Sequence, residues 1–209
     1  ALVKEEEIVE KERKRIARDL HDTVSQEIFA AHMILSGLSQ QASRLDKEKM
    51  QTQLQSVTAI LETAQRDLRI LLLHLRPIEL EQKSLVEGIQ LLLKELEEKS
   101  ELKVSFKYEI DELPKKIEEH IFRIVQELIS NTLRHAQASC LDVYLYQTET
   151  KLQLKVVDNG RGFEPADVDD LSYGLRNIKE RVEDMAGSIQ LLTAPKQGLA
   201  VDIRIPLLD

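Results

Sequence analysis

The first 76 residues contain no proline and a single glycine, Gly37, so nothing in that stretch stops a helix before Pro77. Helix formers dominate it, with apolar residues at heptad-like spacing. Turned at about 100° per residue, Ile16, Leu20, Val24, Ile28, Ala31, Leu35 and Leu38 gather into one stripe. The pattern lapses from Ser39 to Lys47, where polar residues cluster, and this predicts a turn between two helical arms. The second arm carries Leu54, Val57, Ile60, Leu61, Ala64, Leu68, Leu71, Leu72 and Leu75, a stripe too wide for one partner helix to cover. A hairpin with that much apolar surface is covered when it closes with a second hairpin into a four-helix bundle, so the expected form is a homodimer.

The 209 residues are 42% hydrophobic, enough for a core and suited to two modest domains. With 29 basic against 37 acidic residues the formal net charge is -8, which argues against direct binding to nucleic acid or an anionic membrane and favours a protein partner. The one cysteine, Cys140, permits no internal disulfide, fits a reducing compartment and has no second thiol for a metal site. Apolar runs such as Ile70 to Leu73 and Leu91 to Leu93 fall far short of the roughly 18 to 20 residues of a membrane span. The start at Ala1, inside a charged helical segment without an initiator Met or signal peptide, reads as a piece of a longer protein.

Domain boundaries follow the change of texture: a helical hairpin over 1–76, a hinge over 77–84 and an α+β sandwich over 85–209. In the last, the pattern predicts a helix from Leu85 to Lys99, a strand from Leu102 to Ile110, and a helix opened by Pro114 and running to about His135. Two strands joined near Thr148 to Lys151 follow, the second ending at Asp158. The acidic segment Phe163 to Tyr173 lacks periodicity and reads as a mobile loop. A helix from Leu175 to Ala186 and strands Ser188 to Thr193 and Leu199 to Ile205 complete a mixed sheet with helices on one face.

Two groups of residues carry chemistry. On the first arm, His21 sits at the border of the apolar stripe beside Asp22, with Gln26 one turn above Asp22 on the wet face. A carboxylate accepting one imidazole N–H fixes the tautomer and leaves the other nitrogen nucleophilic. In the second domain, Glu127, Asn131, Arg134 and His135 share one face of an otherwise apolar helix. Asn and Glu oxygens suit Mg²⁺ that already carries phosphate oxygens, and Arg pairs with phosphate. A solvated face is the commoner explanation of such a helix taken alone. Strand Leu152 to Val157, however, runs into Asp158-Asn159-Gly160-Arg161-Gly162-Phe163, and Gly174 then precedes a fresh helix N-terminus, a seat for phosphate.

In that order and spacing, Glu127 to His135 resembles the N box of the Bergerat (GHKL) ATP-binding fold, Asp158 to Gly162 its G1 box, and Tyr173-Gly174-Leu175-Arg176 a short G2 box. His21 and its flanks resemble the phosphoacceptor region of the HisKA_3 subfamily of sensor histidine kinases. The runs Leu71 to Pro77 and Gln26 to Ala31 are most similar to the LiaS and VraS group of cell-envelope-stress kinases. The resemblance implies ATP and Mg²⁺, with Asp158 accepting from the adenine amino group and Asn131 ligating Mg²⁺ supported by Glu127. It implies Arg134 and His135 near the phosphates, with the nucleotide closed in by Gly160, Gly162 and the G2 residues Gly174 and Leu175. His21 would take the γ-phosphoryl group, with Asp22 as orienting acid or base. The phosphoryl group would pass to an Asp of a response regulator, expected to carry a helix-turn-helix output domain. Gln26 would position water for attack on the regulator's phospho-Asp, although a Gln on a wet helix face is most often only solvated. By the same resemblance the chain is the cytoplasmic portion of a membrane sensor. Two departures stand out: the lid over Phe163 to Tyr173 is short, and Leu199 follows Gly198 where a Thr is common. Two other readings remain, a non-phosphorylating GHKL ATPase or clamp and a pseudokinase scaffold. His32, His74 and His120 read as structural.

Overall fold

A computed structural model describes residues 2–41, 46–75, 84–163 and 172–207, in two compact units, Ala1–Arg76 and Pro77–Asp209. In the first unit α1 (Leu2–Gln41) packs along α2 (Lys47–Leu75), whose first turn is capped by Asp46 Oδ1 accepting from the Lys49 amide at 2.8 Å. The buried seam is Val24, Ala31 and Leu38 with Val57, Ala64 and Leu71, each seven residues from the next. The predicted single stripe therefore divides. Ile28 and Leu35 with Leu54, Leu61 and Leu68, also at heptad spacing, are left between 39% and 53% exposed. A lone antiparallel partner covers one heptad row, and the row displaced by four residues, about 40° round the helix, stays uncovered.

The expected hinge over 77–84 lies outside the described residues, apart from Ser84. That residue opens α3 (Leu85–Lys99) with a reciprocal cap: Ser84 Oγ accepts from the Glu87 amide and Glu87 Oε2 accepts from the Ser84 amide at 2.9 Å. Then come β1 (Lys103–Glu109), α4 (Lys115–Asn131), β2 (Cys140–Gln147), β3 (Lys151–Asp158), α5 (Ser172–Asp184), β4 (Ser188–Thr193) and β5 (Leu199–Pro206). The sheet order is β1-β2-β3-β5-β4, with β1 parallel to β2 and every other pair antiparallel. Leu141, Val143 and Leu145 of β2, Leu152, Leu154 and Val156 of β3, and Val201, Ile203 and Ile205 of β5 point to the helix side, as period-two burial requires. Ile121, Ile124, Val125, Leu128 and Ile129 of α4 cover them.

Two helices differ in extent from the sequence pattern. The helix expected to run to His135 is α-helical only to Asn131 and continues as one π-helical turn, Thr132–Ala136, ended by Gln137 in the left-handed conformation. A π turn inserts one residue per turn and needs no particular residue type, so periodicity did not reveal it. The helix expected from Leu175 to Ala186 is already formed at Ser172 and ends at Asp184. The segment read as a mobile loop falls mostly on 164–171, outside the described residues. Among the described residues, no helix is long and apolar enough to cross a membrane.

Leu154 is fully buried on the central strand. Replacing it with Ala should cost about 3 kcal/mol by urea denaturation followed through circular dichroism, and a loss below about 1 kcal/mol would contradict this core.

Candidate functional site

On α1 the buried Val24 turns His21, Asp22 and Gln26 to solvent. The His21 and Asp22 side chains are 73% and 76% exposed, and His21 Nδ1 lies 3.5 Å from Asp22 Oδ1. That distance is ion-pair range, longer than a formed hydrogen bond. The carboxylate favours a proton on Nδ1, which leaves the Nε2 lone pair facing water.

The second unit gathers its polar residues where the ends of α4 and β3 meet. Glu127 and Asn131 are half-buried and Asp158 is buried; Arg134, beyond the α-helical part of α4, is exposed. His135 lies within the π turn, and its side chain is outside the described residues. Glu127 and Asn131 point at one spot: a Cβ on Gly174 would overlap Glu127 Oε1 and sit 3.2 Å from Asn131 Oδ1. Gly174 thus lies inside the first turn of α5, not before the helix as its glycine suggested, and it is small because Glu127 occupies that place. Leu175 is buried in the core.

Asp158 ends β3, opposite Leu141 on one side and Leu199 on the other. Its Oδ1 accepts from the Gly160 amide at 2.8 Å, and its Oδ2 lies 3.4 Å from the Thr132 hydroxyl. Burial pushes the Asp158 carboxyl above its ordinary pKa, while the amides of Gly160 and Leu199 and the Thr132 hydroxyl pull it back. The next residue fastens the strand end: Asn159 Oδ1 accepts from the amides of Ser139 and Cys140, both at 2.9 Å.

The glycines serve the chain's own packing. A Cβ on Gly160 would overlap Ala136, whose carbonyl accepts from the Arg161 amide at 2.7 Å. Gly162, at φ +58°, would overlap the Ala194 carbonyl. They let the π turn and the β4–β5 connection meet the segment after β3. Sequence reasoning passed over Thr132, Asn159 and Thr193. Thr193 Oγ1 donates to the Gly198 carbonyl at 2.8 Å and accepts from the Phe163 amide at 3.2 Å. Only position next to a predicted ligand, Asn131 or Asp158, marked the first two.

The residues fit a hard cation that brings most of its own ligands. Among the described residues no group of three or more His, Cys, Asp or Glu could hold a metal alone, yet Glu127 and Asn131 aim oxygens at one place. Burial raises the Glu127 pKa against the opposing pull of Arg134 and Arg181, so a cation beside it would stabilise the ionised form.

Residues 12–80 match the histidine kinase family HisKA_3, and residues 116–209 match the family of histidine kinase-, DNA gyrase B-, and HSP90-like ATPases. Over 205 residues, 98% of this chain, the sequence is 41% identical to the sensor protein VraS of Staphylococcus saprophyticus and 42% identical to that of Staphylococcus epidermidis. The chain spans 58% of the length of each of these relatives. The fold is shared with the histidine kinase domain of the blue-light activated histidine kinase of Erythrobacter litoralis EL346, at TM-score 0.50 and 19% identity over 94% of both chains.

The raised Glu127 pKa has a consequence for stability. An acid whose folded pKa lies above its unfolded value destabilises the fold increasingly as pH rises from the unfolded toward the folded value. Glu127→Gln should therefore be more stable than the native chain at neutral pH, with the advantage shrinking as pH falls toward about 4.5, its ordinary value, and absent below it. Thermal melts at both pH values test this; a variant less stable at neutral pH would contradict it.

Proposed function

The chain belongs to the HisKA_3 histidine kinases, and we propose that it is the kinase core of a two-component sensor protein, transferring the γ-phosphoryl group of ATP to His21. The observation that carries this reading is a solvent-presented His21–Asp22 couple on the same chain as a buried Asp158 beside converging Glu127 and Asn131 oxygens.

His21 Nε2 attacks the γ-phosphorus in line with the departing ADP oxygen, so an N–P bond forms as an O–P bond breaks. Asp22, beside Nδ1, offsets the positive charge that develops on the ring and receives its proton. Asp158 accepts a hydrogen bond from the base's amino group, and by resemblance Arg134 and His135 would serve the phosphates. Asn131 and Glu127 would hold Mg²⁺, which when bound neutralises phosphate charge. The phosphoramidate then passes to an Asp of a response regulator, by resemblance one with a helix-turn-helix output domain. Gln26, exposed one turn from Asp22, positions water for hydrolysis of the regulator's phospho-Asp.

The working form is a homodimer. The row Ile28, Leu35, Leu54, Leu61 and Leu68 is apolar, regular and exposed, and a second hairpin covers it. By resemblance the remainder of the protein carries the sensor in a membrane, with this part on the cytoplasmic side. A clamp ATPase would have no use for the His21–Asp22 couple, and a pseudokinase would have no use for Asn131 and Asp158 in one site.

Incubation with γ-labelled ATP and Mg²⁺ should give an acid-labile, alkali-stable phosphoprotein, absent in His21→Ala and slowed about 10²-fold or more in Asp22→Ala. Gln26→Ala should label normally while losing regulator dephosphorylation. Undiminished label in His21→Ala would overturn the reading. Leu61→Glu should convert a dimer to a monomer by light scattering, and an unchanged mass would remove the proposed seam.

A further inference from the structure

Thr132 follows Asn131 as the first residue of the π turn and is 5% exposed; Asp158 is 6% exposed. Its Oγ1 lies 3.1 Å from the Leu128 carbonyl and 3.4 Å from Asp158 Oδ2. A hydroxyl has one proton, so these two acceptors compete for it. The Leu128 carbonyl already takes the Thr132 backbone N–H, whereas an ionised carboxylate is the stronger acceptor. A valine would fill nearly the same volume in this buried place without a polar atom to satisfy. Asp158 Oδ1 accepts from the Gly160 amide at 2.8 Å and the Leu199 amide also reaches the carboxyl, while Thr132 is a side chain that addresses Oδ2.

We infer that Thr132 is a positioning residue for base recognition, its hydroxyl steering Asp158 Oδ2 to meet the exocyclic amino group of a purine nucleotide. This rests on the nucleotide site proposed above and assigns part of its base selectivity to a residue outside the Asp-x-Gly-x-Gly run. The long Oγ1–Oδ2 contact shortens when an amino donor settles on the carboxylate, because the carboxylate is then held in one orientation. The hydroxyl also helps keep Asp158 ionised against its burial, as the direction of its contribution to that group's pKa indicates. What acts on the Asp158 carboxyl is its burial, opposed by the amides of Gly160 and Leu199 and by the Thr132 hydroxyl.

The test is calorimetric titration of the whole chain with ADP and with purine riboside 5′-diphosphate, which lacks the 6-amino group, both with Mg²⁺. Thr132→Val should weaken ADP about 3- to 10-fold and leave the amino-less nucleotide unchanged, and Thr132→Ser should restore ADP affinity. Loss of the hydroxyl should raise the Asp158 pKa further, so ADP affinity in Thr132→Val should begin to fall at a higher pH on acidification than in the native chain. Equal weakening of both nucleotides, or of neither, in a variant with native circular dichroism would overturn the inference while leaving the nucleotide site standing. Failure of the native chain to bind either nucleotide would overturn both.

Discussion

The second unit depends on one close approach. At Gly160 the chain leaving β3 passes so near Ala136 that no side chain fits between them, and the Arg161 amide donates to the Ala136 carbonyl at 2.7 Å. This contact joins the end of α4 to the end of β3. It thereby places the carboxylate that a base would read, Asp158, beside the helix end that carries Asn131 and Glu127. The π turn makes the approach possible, because its wider loop lets α4 end and the chain reverse through Gln137 within a few residues. Asn159 pins the far side of the same segment to the start of β2. The polar cluster is held by backbone and packing before any ligand arrives, and that preorganisation is what phosphoryl transfer asks of a protein.

The hairpin solves a different problem. Its interior includes a heptad seam through the small residues Ala31 and Ala64, with Ile70 and Leu73 buried near the end of α2, and its outside carries a second apolar row. His21 lies seven residues before Ile28, in register with that outer row, so the residue proposed to take the phosphoryl group sits at the end of the surface proposed to join two chains. A nucleophile there stays wet while its helix is held by packing. The placement of Asp22 one residue on gives the ring a charge partner without burying either group.

Much of this was legible in the sequence, for identifiable reasons. The hairpin announced itself because 76 residues without proline and with heptad spacing allow little else, and the period-two strands ending at Asp158 followed from alternation. The division of the stripe into covered and uncovered rows was not legible, since a stripe's width does not say which edge a partner takes. Gly174 was read as a boundary because glycine usually marks one, whereas here it makes room for the Glu127 carboxylate from another helix. Thr132 and Asn159 were passed over because each acts on a residue distant in sequence, Asp158 for the first and Ser139 with Cys140 for the second.

The central claim is that the Ala136–Gly160 approach assembles the nucleotide site. Its most direct test is titration of ADP with Mg²⁺ into Gly160→Ala whose far-ultraviolet circular dichroism matches the native chain. The added methyl overlaps Ala136, so the segment after β3 must shift and take Asp158 with it; affinity should fall at least about tenfold, roughly 1.4 kcal/mol. Native affinity in that folded variant would contradict the account.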